Sequence, residues 1–217
     1  MPLFTKLTPL EDGPIKEAVT KVAADSSFNL SEIYQADDSK RSTKQNAFMF
    51  GMFKHKVAIA DTVLTNGTPD DVAAIIGHEI GHSKHRHILK LLFISQISNL
   101  LTLLSFVKVM QSDSIFQSFG FVDEKPFIIG IQLVSFFVVP VYELSNMGLN
   151  LISCMFEYQA DEYSAKMGLK IDDALLKLCQ ENKAIVDTDP IYLAFNANHP
   201  TLAQRIDRIR KVQKKKE

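Results

Sequence analysis

Residues 68–82, TPDDVAAIIGHEIGH, contain the pattern on which the interpretation of this sequence depends. His78 and His82 are four positions apart, and Glu79 directly follows the first histidine. On an α-helix, positions i and i+4 lie on the same face, so the two imidazoles can bind one zinc ion. Glu79 then lies beside the open coordination position, where it can take a proton from a water whose pKa the zinc has lowered. The stretch is a candidate catalytic zinc helix.

The residues before the motif indicate that it lies on a helix. Residues 68–71, TPDD, supply a threonine N-cap, a proline at the first helical position and acids in the first turn. Gly77 and Gly81 lower the helix propensity, which suggests that a neighbouring backbone or a ligand approaches closely there. The alternative is an ordinary amphipathic helix, but the context favours the zinc helix.

Composition excludes several other classes of protein. The 217 residues carry a net charge of −1, so charge gives no reason to expect nucleic-acid binding. The two cysteines, Cys154 and Cys179, lie in apolar helical patterns without a C-x-x-C partner, so we expect reduced core residues rather than a disulfide or thiolate metal site. The first residues, MPLFTKLTPLEDG, do not have the pattern of a secretory signal.

A small β-sheet is predicted just upstream of the zinc helix. We expect a helix over residues 14–24, strands over residues 32–36, 46–51 and 55–60, and a helical, amphipathic region over residues 171–217. In zinc endopeptidases an edge strand in this position can bind an extended substrate by strand addition. Residues 1–90 are therefore interpreted as the first part of a catalytic domain.

Two uncharged apolar runs follow the motif, over residues 91–107 and 126–142, with a mixed loop over residues 108–125 between them. Both are slightly shorter than the ~20 apolar residues of a typical membrane span. A membrane hairpin over residues 91–142 is favoured over a pair of buried helices, because two such runs are hard to bury in a small protein. Residues 143–217 would then complete the catalytic domain.

The charges around the two runs predict an orientation. Lys84, Arg86 and Lys90 lie on the side of the zinc helix, whereas the loop between the runs is acidic on balance. The positive-inside tendency places the zinc site on the cytoplasmic face. The basic C-terminus is either a solvated tail or a membrane-surface contact, and its last residues, KKKE, look like a dilysine retrieval signal.

A catalytic zinc needs a third protein ligand, and the candidate lies in FEYQADEY, residues 156–163. Glu157 and Asp161 are spaced i, i+4 and share a helix face. Glu157 could bind the zinc while Asp161 accepts a hydrogen bond from the free N–H of a ligand histidine. By spacing alone this signal is weak, because acids at this spacing are common on solvated faces.

Several segments in order around these motifs identify a family resemblance. They are MPLFTKLTPLEDG, SKRSTKQNAFMFGMFKHK, ADTVL, HEIGH, EYQADEYSAKMG and NHPTLAQRI. Together they resemble the CAAX prenyl protease 1 family, multi-spanning zinc endopeptidases of the endoplasmic reticulum membrane that process prenylated proteins. The resemblance implies a mainly α fold with a small β-sheet, an α+β zincin-like catalytic core carrying a transmembrane helical hairpin.

The resemblance also implies roles for individual residues. The ligands of one zinc ion per chain would be His78, His82 and Glu157. Glu79 would be the catalytic base, with Asp161 as the carboxylate that orients a ligand. Further matched positions are His199 for stabilising the oxyanion, Arg205 for a nearby structural or catalytic arginine, and Asn46 and Ala47 for the substrate-binding edge strand.

The sequence also allows another role for His199, and the other three histidines are not predicted to be ligands. His199 could instead be a polar residue that caps a final helix near Pro200. His85 and His87 are interpreted as flanking polar residues rather than ligands, and His55 as a strand residue.

The family has several membrane spans before the segment that matches Met1, so this chain is predicted to be a fragment of a longer protein or a natural short form. Three functions follow: a multi-pass zinc endopeptidase acting on prenylated CAAX-type substrates at the lipid bilayer, a general membrane-protein quality-control peptidase, or a non-proteolytic zinc-binding paralogue. The last would associate with a full-length partner.

Overall fold

The computed structural model of the protein describes residues 5–40, 47–51, 54–183 and 186–214. The described chain is mainly helical with one small sheet, as predicted. In chain order the elements are β1 (Leu7–Pro9), α1 (Pro14–Asp25), β2 (Leu30–Ala36), β3 (Ala47–Phe50), β4 (His55–Ala60), α2 (Asp61–Asn66), α3 (Pro69–Lys84), α4 (His87–Gln111), α5 (Asp113–Ser118), α6 (Phe127–Lys166), α7 (Ile171–Glu181), α8 (Pro190–Asn196) and α9 (Leu202–Lys214).

The sheet has the strand order β1-β2-β4-β3. β2 and β4 pair in parallel, whereas β1 and β3 pair antiparallel to their neighbours and form the two edges. The three predicted strands are confirmed, with β2 beginning two residues earlier than expected. β1 was missed because three residues ending in proline carry no alternating pattern, and proline is tolerated at a sheet edge.

The chain divides into two compact units, and the first contains residues 1–87, 155–188 and 200–217. Its main core lies between the sheet, α1 and α3. The fully buried side chains of this core include Val19, Val57, Ile59, Val72, Ile76 and Ile80. Because these residues lie on one face of each helix and on β4, burying them fixes α3 against the sheet.

The start of α3 follows the predicted pattern of a threonine cap and a proline. The Thr68 Oγ1 accepts a hydrogen bond from the backbone N–H of Asp71 at 3.3 Å, and the Asp71 carboxylate accepts one from the backbone N–H of Thr68 at 3.0 Å. This capping box satisfies two backbone donors at the helix terminus. Lys177 of α7 also donates to the Asp71 carboxylate, at 2.7 Å, so the cap is tied to a second helix.

The second unit contains residues 88–154 and 189–199. Both α4 and α6 are long and apolar enough to cross a membrane by length and composition. None of the residues in the most apolar stretch of α4 is buried, and only 22% of those in α6 are. Neither helix is therefore mostly buried within the part of the chain that the structure describes, and the membrane hairpin stays a prediction. Exposed apolar side chains on α4 and α6 include Phe93, Leu100, Leu104, Ile128, Phe136 and Leu144.

Three further details differ from the sequence predictions. The expected loop over residues 108–125 contains the end of α4 and the short helix α5, whose Phe116 is fully buried beside Val109 and Leu133. Cys154 and Cys179 are not disulfide-bonded, as predicted, but both are only half-buried. The helical C-terminal region is interrupted, because Pro190 opens α8 and Pro200 precedes α9.

Candidate metal centre

The two histidines of the motif lie on one face of α3, as their spacing requires. His78 Nε2 and His82 Nε2 are 3.0 Å apart. Glu157 of α6 joins them, with its carboxylate oxygens 3.5 Å from His78 Nε2 and 3.3 Å from His82 Nε2. The ligand atoms of all three residues lie within 4.8 Å of one another. The structure therefore brings together three residues that could hold one metal ion.

The close approach of α3 and α6 depends on Gly81. A Cβ atom built at this position would lie 3.0 Å from the Cα of Ala160 and 3.1 Å from the Cβ of Tyr163. A Cβ on Gly77, one turn earlier, would meet the side chains of Leu169 at 2.5 Å and Ser164 at 3.0 Å. The two glycines thus allow the helices that carry the ligands to touch, as the sequence suggested.

The far side of His78 is held by an acid and an arginine. Asp161 accepts a hydrogen bond from His78 Nδ1 at 2.8 Å. The guanidinium of Arg205 donates two hydrogen bonds to the same carboxylate, Nε at 2.8 Å and an Nη at 2.6 Å. Asp161 is only 2% exposed, so the ion pair is shielded from water. With the proton on Nδ1 given to Asp161, Nε2 is the nitrogen that His78 presents to Glu157 and His82.

The charges around His78 alter its ionisation in the metal-free protein. Burial alone lowers the pKa of the imidazole, but the hydrogen bonds with Asp161 and Glu157 outweigh burial and raise the pKa to about 9. The cluster therefore attracts positive charge, as a cation site must. The Nε2 atoms of His78 and His82 and the carboxylate of Glu157 all carry lone pairs. Because they lie so close together, a shared proton or a bound metal ion is needed to offset their mutual repulsion.

Glu79 directly follows His78 in the sequence. Its side chain is half-buried, and burial raises the pKa of the carboxyl despite the neighbouring histidines, which lower it. A carboxylate with a raised pKa is a better proton acceptor near neutral pH than an ordinary glutamate. The ionisation of Glu79 therefore suits the predicted role of a base.

His87 contacts the candidate ligand His82, a contact that the interpretation of His87 as a flanking polar residue did not foresee. Its side chain is 1% exposed, and its Nδ1 lies 3.0 Å from the Nδ1 of His82. His87 does not belong to the three-residue group that could hold the metal. It is buried, however, whereas His85 is exposed and caps the end of α3. The sequence shows that a histidine lies five positions after His82. It does not show that this histidine contacts His82, because the contact depends on the bend of the chain after α3.

The remaining predicted residues are His199, Asn46 and Ala47. His199 is exposed in the second unit. It does not cap α9, because Thr201 Oγ1 accepts from the backbone N–H of Gln204 at 3.3 Å and Gln204 Oε1 accepts from the backbone N–H of Thr201 at 3.2 Å. Ala47 is buried at the start of the edge strand β3, whereas Asn46 lies outside the described residues. The roles of these residues stay predictions.

These features are typical of one class of protein, the metallopeptidases with a two-histidine, one-glutamate centre. They are a helix with two histidines, a glutamate from a later helix, and a small sheet. The chain belongs within this class to peptidase family M48, whose sequence profile matches residues 9–213.

Individual relatives agree with this assignment. The chain is 39% identical over 209 residues to the CAAX prenyl protease 1 homolog of Arabidopsis thaliana, which covers 94% of this chain and 49% of the relative. It is 33% identical over 234 residues to CAAX prenyl protease 1 of Saccharomyces cerevisiae, covering 100% of this chain and 52% of the relative. The chain thus spans about half the length of the curated relatives it matches.

A solved structure is similar throughout most of the chain. The crystal structure of S. mikatae Ste24p matches with a TM-score of 0.83 and 32% identity, over 96% of this chain and 53% of that one. The fold that the family resemblance implied is therefore confirmed.

Proposed function

We propose that this chain is the catalytic part of a zinc-dependent membrane endopeptidase that cleaves prenylated CAAX-type protein C-termini. The observation that carries the proposal is the convergence of His78, His82 and Glu157 directly beside Glu79. The names of the relatives supply the substrate class, since they are CAAX prenyl proteases.

The donor set suits zinc. In a tetrahedral site with zinc–ligand distances of about 2.1 Å, two donor atoms are about 3.4 Å apart. The two histidine nitrogens are 3.0 Å apart, and they lie 3.3 Å and 3.5 Å from different oxygens of the Glu157 carboxylate. With one ligand atom taken from each residue, all three atoms lie within 4.8 Å of one another. One carboxylate and two neutral imidazoles also match the ligand types that catalytic zinc uses, with one position left open. When bound, zinc polarises a peptide carbonyl and makes a water molecule more acidic.

The residues of the chain then have distinct tasks. Glu79 accepts the proton of the attacking water and passes it to the leaving amine. Asp161, held by Arg205, keeps His78 protonated on Nδ1 so that Nε2 can bind the metal. His199 is proposed to donate a hydrogen bond to the oxyanion that forms at the scissile carbonyl.

The substrate is proposed to bind as an extended strand. β3 is an edge of the sheet, and its pairing with β4 runs from Ala47 to Phe50. Among the described residues no strand pairs with its other edge, which suits strand addition. Ala47 begins this strand. Asn46 and Ala47 are proposed to contact the peptide.

The protein is proposed to be a multi-pass protein of the endoplasmic reticulum membrane with the metal centre facing the cytoplasm. The exposed apolar surfaces of α4 and α6 support membrane insertion. Lys84, Arg86 and Lys90 beside the start of α4 support the orientation. The division into residues 1–90, 91–142 and 143–217, with the hairpin between two parts of one catalytic domain, belongs to the same proposal.

The proposal is tested with the full chain in detergent. Zinc content is measured first, and cleavage of a farnesylated C-terminal peptide is then compared for wild type and Glu79→Gln. We expect one zinc per chain in both proteins and a loss of cleavage of about 10²–10⁴-fold in the variant, the usual contribution of a general base.

Two outcomes would contradict the proposal. Bound zinc without cleavage of any peptide by wild type would favour the non-proteolytic paralogue. Equal cleavage of the farnesylated peptide and of the same peptide without its prenyl group would favour a quality-control peptidase.

A further inference from the structure

We propose that His87 and Gln159 form a hydrogen-bond relay that fixes the proton of His82 on Nδ1 and so presents His82 Nε2 to the metal. Both are positioning residues, since they act through His82. The inference rests on the proposed zinc site. It concerns His82, whose Nδ1 contacts an imidazole, whereas the Nδ1 of His78 contacts the carboxylate of Asp161.

The relay exists because the chain bends sharply after α3. Arg86 has φ 55°, in the left-handed region that non-glycine residues rarely occupy, and it separates the end of α3 from His87 at the start of α4. The bend returns the His87 ring to the face of α3 that carries His82. Such a conformation costs free energy and persists where surrounding contacts hold it.

The contacts of His87 define which nitrogen carries the proton. His87 Nε2 lies 3.0 Å from the Oε1 of Gln159, an amide oxygen that can only accept. His87 therefore donates from Nε2, and in a neutral imidazole its Nδ1 is then an acceptor. At 3.0 Å from this acceptor, His82 Nδ1 must be the donor. The proton of His82 is thus on Nδ1, and the lone pair on Nε2 faces His78 and Glu157.

The opposite proton arrangement is incompatible with the metal site. If the Gln159 amide presented its NH₂ group, His87 would accept on Nε2 and donate from Nδ1. His82 would then accept on Nδ1 and carry its proton on Nε2, the nitrogen that has to bind the metal. One amide orientation alone therefore agrees with His82 as a ligand.

The ring of His87 is also fixed in its plane. It stacks on Phe156 with the ring centroids 4.2 Å apart and an angle of 4° between the planes. Phe156 is buried and directly precedes Glu157 on α6. The helix that supplies the third ligand thus also supplies the two side chains, Phe156 and Gln159, that hold the relay.

The two ligand histidines are therefore oriented by different chemistry. His78 donates to an anion, Asp161, whereas His82 donates to a neutral imidazole. Orienting partners of metal-bound histidines typically contribute about 10–100-fold to metal affinity or activity. A neutral relay adds orientation without a further negative charge beside Glu157 and Asp161.

The test measures zinc affinity by competition with a chelator, using the full chain in detergent and zinc alone as the probe. His87→Leu and Gln159→Leu remove an acceptor, and we expect affinity to fall about 10–100-fold. His87→Asn keeps an oxygen acceptor near the position of Nδ1, and Gln159→Glu keeps the acceptor for Nε2. We expect both to bind zinc within a few-fold of wild type. His55→Leu, which removes a histidine of β4, is the matched control and should be unchanged.

A second measurement detects the protons directly. In zinc-loaded protein with ¹⁵N-labelled histidine, long-range ¹H–¹⁵N spectra should report a proton on Nδ1 of His82 and on Nε2 of His87. A proton on Nδ1 of His87 would overturn the proposal even if a leucine variant failed to fold. Wild-type affinity in His87→Leu, or equal losses in His87→Asn and His87→Leu with unchanged thermal stability, would also overturn it.

The affinity readout separates this inference from the proposed function. Zinc binding that depends on His87 in a protein that cleaves no peptide would support the relay and contradict the peptidase. A wild-type protein that binds no zinc would overturn both.

Discussion

The substitution Gly81→Ala tests whether the contact between α3 and α6 sets the metal centre. The added Cβ would lie 3.0 Å from the Cα of Ala160, 3.2 Å from its carbonyl oxygen and 3.1 Å from the Cβ of Tyr163. Carbon atoms in contact prefer about 3.5–4.0 Å, so the two helices have to separate by about 0.5 Å. The neighbouring atoms are backbone and Cβ atoms, which cannot rotate away.

The expected magnitude follows from two opposing effects. Overpacking of this kind costs about 1–3 kcal/mol, while replacing a helical glycine with alanine returns about 1 kcal/mol. The free energy of unfolding of the metal-free protein should therefore fall by about 0–2 kcal/mol. Zinc–ligand distances have to lie within about 0.2 Å of their usual values. Zinc binding to the variant therefore has to bring α3 and α6 back together against the steric clash of the added Cβ. A penalty of about 1–2 kcal/mol lowers zinc affinity about 10-fold.

Two other glycines provide the comparison. The closest atom to a Cβ on Gly77 is nearer, at 2.5 Å, but it is the end of the Leu169 side chain, which can move. Gly77→Ala should therefore weaken zinc binding less than Gly81→Ala. Gly148→Ala, where an added Cβ meets nothing within 4 Å, should leave zinc affinity unchanged. Chelator competition measures all three, and wild-type affinity in Gly81→Ala, or a larger loss in Gly77→Ala, would refute the reasoning.

Three further predictions concern the cap, the ion pair and the metal. Although burial raises the pKa of Asp71, hydrogen bonds from Lys177 and Thr68 outweigh it and lower the pKa below 3.8. Asp71 therefore stabilises the fold above about pH 4, and Asp71→Asn should cost about 1 kcal/mol at pH 7 but progressively less as the pH falls through the lowered value. Arg205→Gln leaves Asp161 without its arginine and should cost about 3 kcal/mol, whereas Arg205→Lys should cost less. Zinc at about 1,000 times its Kd should stabilise the protein by about 4 kcal/mol, raising Tm by about 10 °C relative to chelator-treated protein.

Chemical denaturation at several pH values measures the first two predictions and a thermal melt the third. A pH-independent effect of Asp71→Asn would mean that its carboxylate contributes no charge-dependent stability. Equal stability of the two Arg205 variants would argue against the paired hydrogen bonds to Asp161. Identical melting with zinc and with chelator would contradict a metal site that forms in the folded protein.

The sequence could predict those features that depend on residues close together in the chain. The helix that carries His78 and His82 was predictable because the cap at Thr68 and the spacing of the two histidines act within a few turns of one helix. The strands β2 and β4 and the two apolar helices were predictable for the same reason, since period and length are local properties. The short elements β1 and α5 carry no such period and were missed.

Glu157 marks the limit of this local reasoning. It is far from His82 along the chain, and acids spaced as Glu157 and Asp161 are common on solvated surfaces. Spacing made Glu157 only a weak candidate, and the family resemblance was needed to select it, because a distance between two helices is not encoded in the period of either one.

The sequence by itself thus determined which helix presents two imidazoles and which segments are apolar enough for a membrane. Tertiary structure alone decided that α3 and α6 meet at Gly81, that the bend at Arg86 turns His87 inward, and that Thr201 rather than His199 caps α9. Propensity and capping act between neighbours in the chain, whereas contacts between helices follow from how side chains pack and where buried polar groups find partners. The proposed relay from Gln159 through His87 to His82 depends on such contacts between helices.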